Sequence, residues 1–356
     1  MSRAARPLES GSSAGFSMQT RTNTLSDLTS PIASALDRVI EVFDAELRTD
    51  LGFVNHLVEQ VRRYRGKLLR PRLLLLAARA TGDLRQEHLV LAAVVEMVHM
   101  ATLVHDDVLD EADVRRKGAT VNRMVGNEAA VLLGDYLISH AYHLCSSLGS
   151  THTSRRIAAV TNTVCEGELM QIAHRGNCEL TESDYLEIIR RKTAVLTGLC
   201  CELGAWASGA ATETVEHLAA FGTDLGMAFQ IVDDLLDLTA TENELGKTVG
   251  RDAELGKWTL PAIHYRDHAD GEDRAKIVAA MSKPGDKTGR LRAILLNESG
   301  MVKDGERASA AGSIDYAMDT ARSYVQSALA HLADLPSSDA KDSLTAAAEY
   351  IVTRRI

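Results

Sequence analysis

From Ile32 onward, apolar residues recur at intervals of three and four, the spacing that gathers them on one face of an α-helix. Ile32, Leu36, Ile40, Phe43 and Leu47 form a first stripe, and Val54, Leu57 and Val61 a second. The segment Arg65–Pro71 interrupts the pattern, and Pro71 is suited to open the Leu-rich helix that follows, because a first helical turn has no use for its missing N–H. A strongly apolar helix is predicted over 86–110, closed by charged residues and Gly118. Further helices are predicted over 128–148, 153–175, 182–208, 212–238, 257–266, 272–281, 305–334 and 338–353. No strand-like alternation competes with this reading. No period of 20–50 residues repeats, and no linker divides the chain.

Composition agrees. Of 356 residues, 45% are hydrophobic but only 4% aromatic, and Ala and Leu favour helices over strands. An all-α single domain over 31–356 is expected. It follows a disordered tail over 1–30, where Ser, Thr, Gly and Arg recur without an apolar stretch. The net charge of −10 argues against sequence-independent nucleic-acid binding, which needs a basic surface. Five cysteines without a Cys-x-x-Cys pair imply neither a disulfide framework nor a zinc site, and fit a reducing cytoplasm. No unbroken apolar run reaches the roughly 18 residues of a transmembrane helix.

Two clusters carry chemistry. Asp106, Asp107 and Asp110 end one apolar helix; Asp233, Asp234 and Asp237 end another. Residues four apart share a helix face, so Asp106 lies over Asp110 and Asp233 over Asp237. Stacked like charges near a helix C-terminus are unfavourable on two counts, repulsion and the helix dipole, and each costs a few tenths of a kcal/mol or more. Such triplets call for a cation, and an all-oxygen ligand set suits Mg²⁺ sharing its shell with substrate phosphates. Basic residues that would meet a diphosphate occur in short groups: Lys67 with Arg70, Arg115 with Arg116, Lys192 with Thr193, then Lys247 and Lys257. His140, His143 and His174 have no carboxylate partner at ligand spacing and read as structural or surface residues.

The motifs, taken in order, resemble those of the trans-isoprenyl diphosphate synthases, in particular the medium- and long-chain polyprenyl members. The carriers are Gly66–Pro71, Glu96–His99 followed by Leu103–Asp110, Arg115–Arg116, Gly134–Asp135, Gly167–Gln171, Lys192–Ala194, Gln230–Asp237, Gly246–Lys247 and Gly256–Pro261. Arg65 and Leu68 stand where the family often has Gly and Arg, and Lys117–Gly118 reverses a more usual order. The resemblance implies a helical bundle of the isoprenoid synthase type around a central active-site cavity, acting as a homodimer.

It also implies roles. Mg²⁺ held by Asp106, Asp110 and Asp233 would bind the allylic prenyl diphosphate, with Asp107, Asp234 and Asp237 in support. Arg115, Lys192, Thr193, Gln230, Lys247 and Lys257 would complete that cage. Isopentenyl diphosphate would lie on Lys67, Arg70, His99 and Arg116. The growing tail is expected along Met97, Val98, Ala101 and Thr102, where the small Ala101 and Thr102 predict a medium- or long-chain product, of the kind used for quinone side chains. The alternatives are a shorter-chain (farnesyl or geranylgeranyl) synthase and a subunit of a heteromeric synthase. A terpene cyclase has no need of the second basic group.

Overall fold

The computed structural model describes residues 27–116, 118–240, 249–296 and 310–353. The predicted helix over 305–334 begins outside them, and so do Lys247 and most of the predicted tail. The described chain opens with a 3₁₀ turn at Asp27–Ile32, a few residues earlier than the predicted domain start.

The helices are α1 (Ala33–Glu46), α2 (Gly52–Tyr64), α3 (Leu69–Thr81), α4 (Gln86–Leu109), α5 (Val121–Val125), α6 (Asn127–Ser146), α7 (Thr151–Ala173) and α8 (Glu182–Ile189). They continue with α9 (Val195–Ala207), α10 (Thr212–Thr239), α11 (Arg251–Glu254), α12 (Leu260–His268), α13 (Gly271–Ser282), α14 (Lys287–Leu295), α15 (Ala310–His331) and α16 (Asp339–Thr353). The expected stretch 182–208 is helical throughout but carries a π turn at Arg190–Ala194. One two-residue β-pairing, Val114–Arg115 with Gly118–Ala119, is the sole sheet among the described residues. The fold is all-α.

Two long helices organise the bundle. α4 packs on α1, α3, α6 and α9, while α10 packs on α9 and α15. From Leu89 to Met100 nearly every α4 side chain is buried, so the helix is apolar all round rather than on one stripe. It is the one described helix long and apolar enough to cross a membrane, yet 78% of its most apolar 18-residue window is already covered by the bundle. A core position accounts for the composition.

Close helix contact fixes where the two C-terminal ends lie. A Cβ on Gly204 of α9 would stand 2.2 Å from the Leu74 carbonyl oxygen of α3, and one on Gly222 of α10 would stand 2.6 Å from the Thr197 carbonyl oxygen of α9. Glycine at each crossing lets the backbones touch, which draws α3, α9 and α10 together and turns the acidic end of α10 toward that of α4.

Candidate active site

Both acidic ends open on a cavity of about 1360 Å³, lined by residues from α3, α4, α7, α8, α10 and the segments after α4 and α10. In each triplet the middle carboxylate is anchored from behind. Asp107 is 1% exposed. It accepts from the Tyr64 hydroxyl at 2.8 Å and from Arg115 Nε and Nη2 at 2.9 and 2.7 Å. Asp234 accepts from the Tyr185 hydroxyl at 2.7 Å and from Gln230 Nε2 at 2.8 Å. A buried tyrosine thus pins the centre of both clusters. The neighbours, Asp106 and Asp110 on one side and Asp233 and Asp237 on the other, line the cavity.

These carboxylates are short of water. Burial pushes Asp106 up to about 6, and the nearby charges of Glu168 and Asp110 add to the rise while Lys192 opposes it. Burial likewise pushes Asp234 up to about 8, with Asp252 adding repulsion. Among the described residues the aspartates do not by themselves close three ligand atoms around one point. An ion between them needs further oxygens, which is how Mg²⁺ is held when phosphates complete its shell. The donor set fits a hard divalent cation.

Basic groups face the clusters. The π turn carries Lys192, and such turns recur at functional sites because one extra residue re-aims the side chains. Gly167 of α7 makes room for it, since a Cβ there would lie 2.5 Å from the Lys192 amide nitrogen. Lys192 Nζ donates to Gln171 at 2.8 Å, pairs with Glu168, and lies 3.9 Å from Asp106. Thr193 donates to Gln230 at 2.8 Å, extending the chain of bonds to Asp234 and Tyr185. Lys257 is 3.1 Å from Asp110.

Two residues not read from the sequence join them. Arg175 is bonded to Asp110 at 2.8 Å, and Arg251 donates to the Asp110 carbonyl. Neither sits in a motif, and both are brought to Asp110 by folding alone. Arg115, expected on the allylic diphosphate, instead grips Asp107. Proximity to the cluster in sequence is what made it a candidate, and the same proximity lets it close on a buried carboxylate.

At the same cavity, Lys67, Arg70 and Arg116 form a second cationic group, with His99 lining it as well. Burial lowers the Arg70 pKa, and the carboxylate of Glu96 opposes the shift. His99 is held neutral by burial and by Arg70, Arg115 and Arg116. Arg116 takes a left-handed φ of 50° and lays its guanidinium where a Cβ on Gly66 would be, 2.1 Å away. Arg70 Nε and Glu96 Oε2 are buried with no protein partner, a condition that a bound polyanion or water would relieve. Arg65 is drawn back to Asp44 and lies over the Phe43 ring.

The residues of the expected tail wall fall on two sides of α4. Helical periodicity puts His99, Thr102, Leu103 and Asp106 on the cavity side of α4, and these line it. Met97, Val98 and Ala101 are at most 1% exposed and face the packed interior. Ala101 is five residues from Asp106, well over a quarter turn off its face.

Comparison with known proteins places the fold in a family. Residues 53–297 match the model of the polyprenyl synthetase family. Octaprenyl diphosphate synthase of Escherichia coli is 34% identical over 309 residues, covering 87% of this chain and 92% of that protein. A polyprenyl synthase from Caulobacter crescentus, solved in complex with calcium and isoprenyl diphosphate, superposes with a TM-score of 0.84 at 29% identity, covering 94% of this chain and 99% of that one. A decaprenyl diphosphate synthase from Rhodobacter capsulatus gives 0.79 at 33% identity, covering 93% and 99%. The chain belongs to the polyprenyl synthetase family.

The raised Asp234 pKa has a measurable consequence. Below about pH 8 the folded chain holds a proton on Asp234 that the unfolded chain has released, and it gives that proton up as pH rises toward 9. Stability is therefore lost as pH rises through about 8. In chelator, wild-type protein is expected to lose about 1 kcal/mol between pH 7 and 9, read as a falling melting temperature. Asp234→Asn, neutral throughout, removes this part of the fall. Equal pH dependence in the two proteins would contradict the assignment.

Proposed function

We propose that this prenyltransferase condenses isopentenyl diphosphate with an allylic prenyl diphosphate, depends on Mg²⁺, and makes a medium- or long-chain all-trans polyprenyl diphosphate. The observation that carries the reading is one cavity with two distinct polar ends: facing carboxylates with Lys192 and Lys257, and the Lys67, Arg70, His99 and Arg116 group. Two diphosphates of different role need such a division. A cyclase acting on one diphosphate does not.

Asp106, Asp110 and Asp233 are the residues that would hold the metal, and Asp237, Asp107 and Asp234 would support them. When bound, the cation offsets the negative charge that builds on the diphosphate leaving group. Lys192 and Lys257 add fixed positive charge at the same end, preorganised by their contacts with Glu168, Gln171 and Asp110. Lys247 would join them and lies outside the described residues. Thr193 and Gln230 hold Asp234 in place. Arg115 acts one step back, orienting Asp107. The neutral His99 is a hydrogen-bond donor for the second diphosphate, alongside the charges of Lys67, Arg70 and Arg116. With isopentenyl diphosphate fixed, its double bond forms a bond to the allylic carbon as the carbon–oxygen bond breaks and diphosphate departs, and loss of a proton from the new carbocation restores a double bond in the lengthened chain. The surrounding apolar walls keep water from trapping the cation.

Thr102 and Leu103 of α4, with Val164 of α7 and Phe229 of α10, supply apolar or small surface beside the allylic end. The absence of a bulky group at Thr102 supports a tail that passes this point. Exposed Val131 and Leu132 of α6, 42% and 68% accessible, support a homodimer formed on this helix. Five free cysteines support a cytoplasmic setting.

The test is mass spectrometry of products made by the purified chain with Mg²⁺, isopentenyl diphosphate and an allylic primer. Products longer than geranylgeranyl diphosphate are expected; no product without a second protein would instead support a heteromeric enzyme. Thr102→Phe is expected to shorten the dominant product by one or more five-carbon units. An unchanged length distribution would remove this face of α4 from the tail's path.

A further inference from the structure

Outside the cavity, the fold brings together three metal-ligating side chains that are far apart in sequence. His140 and His143 stand one turn apart on α6, and Glu46 is the last residue of α1. Each histidine places its Nδ1 2.8 Å from the same oxygen, Glu46 Oε1. One ligand atom from each residue lies within 4.8 Å of the others. In a tetrahedral shell with bonds of about 2.0–2.1 Å, neighbouring ligand atoms are about 3.3 Å apart. The two histidine–carboxylate spacings are therefore each within about half an ångström of what a bound ion imposes, and the two histidines' ligand atoms lie within 4.8 Å of each other.

We propose that Glu46, His140 and His143 form a second cation site, separate from the aspartate clusters, for a late first-row divalent metal such as Zn²⁺. The donor chemistry sets the class. Two imidazole nitrogens and one carboxylate oxygen suit Zn²⁺, Co²⁺, Ni²⁺ or Cu²⁺, whereas Mg²⁺ takes oxygen. The surroundings are partly built. Glu46 is 14% and His140 25% exposed, so two ligands are held by packing, while His143 is 76% exposed in the single chain. The Tyr136 ring, one turn before His140, packs against its imidazole with centroids 4.3 Å apart and limits its rotation.

The site's position gives it a structural role. α1 and α6 both pack on α4, and an ion joining them straps two helices around the one that carries Asp106 and Asp110. Its ligands lie outside the catalytic cavity, so the role is stability and not chemistry.

Metal-stripped protein, kept in millimolar Mg²⁺ to occupy the oxygen sites, is titrated with Co²⁺ and followed by visible absorption. One equivalent per chain is expected to give the absorption of four-coordinate Co²⁺, displaced by Zn²⁺. His143→Gln, at an exposed position that does not endanger the fold, is expected to weaken this binding by more than about 10-fold. Its prenyl transfer with Mg²⁺ should be unchanged. Glu46→Gln should weaken binding similarly, and Zn²⁺ should raise the melting temperature of the wild type but of neither variant. The same Co²⁺ affinity and spectrum in both variants would place the ion elsewhere and overturn the proposal. So would the absence of any Co²⁺ absorption, which would leave the triad as a pair of histidine–carboxylate hydrogen bonds only.

Discussion

Carboxylates drawn out of water are the constraint around which this protein is organised. Charge in a desolvated site must be neutralised, hydrogen-bonded or matched by a cation. The chain uses all three. Asp107 and Asp234 are satisfied by tyrosine hydroxyls and by Arg115 and Gln230. Asp110 is met by Lys257 and Arg175. Asp106, with its pKa raised to about 6 and Lys192 at 3.9 Å, is left beside Glu168 and Asp110, whose repulsion a cation would offset. A divalent ion carrying a diphosphate supplies charge and oxygen ligands together.

The fold serves that arrangement. α4 and α10 are buried along most of their length and deliver acidic C-terminal ends to one cavity, against the preference of the helix dipole. Glycines at the crossings of α3, α9 and α10 bring the backbones close enough to do so. The π turn between α8 and α9 aims Lys192 and Thr193 inward. The electrostatic cost at one end of each helix is offset by apolar packing along the rest.

Much of this was legible in the chain before folding. The triplets announced themselves because helical spacing is local, and stacked like charges ask for an ion wherever they fall. Lys192, Lys257 and Arg70 stand out as basic groups, they and His99 take their expected roles from resemblance to a family, and all four line the cavity. What could not be read depends on contacts between distant residues. Tyr64 and Tyr185 anchor aspartates 43 and 49 positions away, and Arg175 reaches Asp110 across 65. Glu46 meets His140 and His143 across 94 and 97, so histidines without a local carboxylate turn out to share one. Within the expected tail wall the helix separates neighbours. Ala101 and Thr102 are adjacent in sequence but about 100° apart around the helix, and only Thr102 faces the cavity.

The most direct test of the metal-mediated site is calorimetric binding of a non-hydrolysable allylic thiodiphosphate to the purified chain, with Mg²⁺ and then in chelator. If the aspartates act through the ion, binding is strong with Mg²⁺, falls by more than about 10-fold on chelation, and is equally weak for Asp106→Asn under both conditions. Equal affinity with and without Mg²⁺ would mean that the basic residues alone hold the diphosphate, and would contradict the role given to the aspartate pairs.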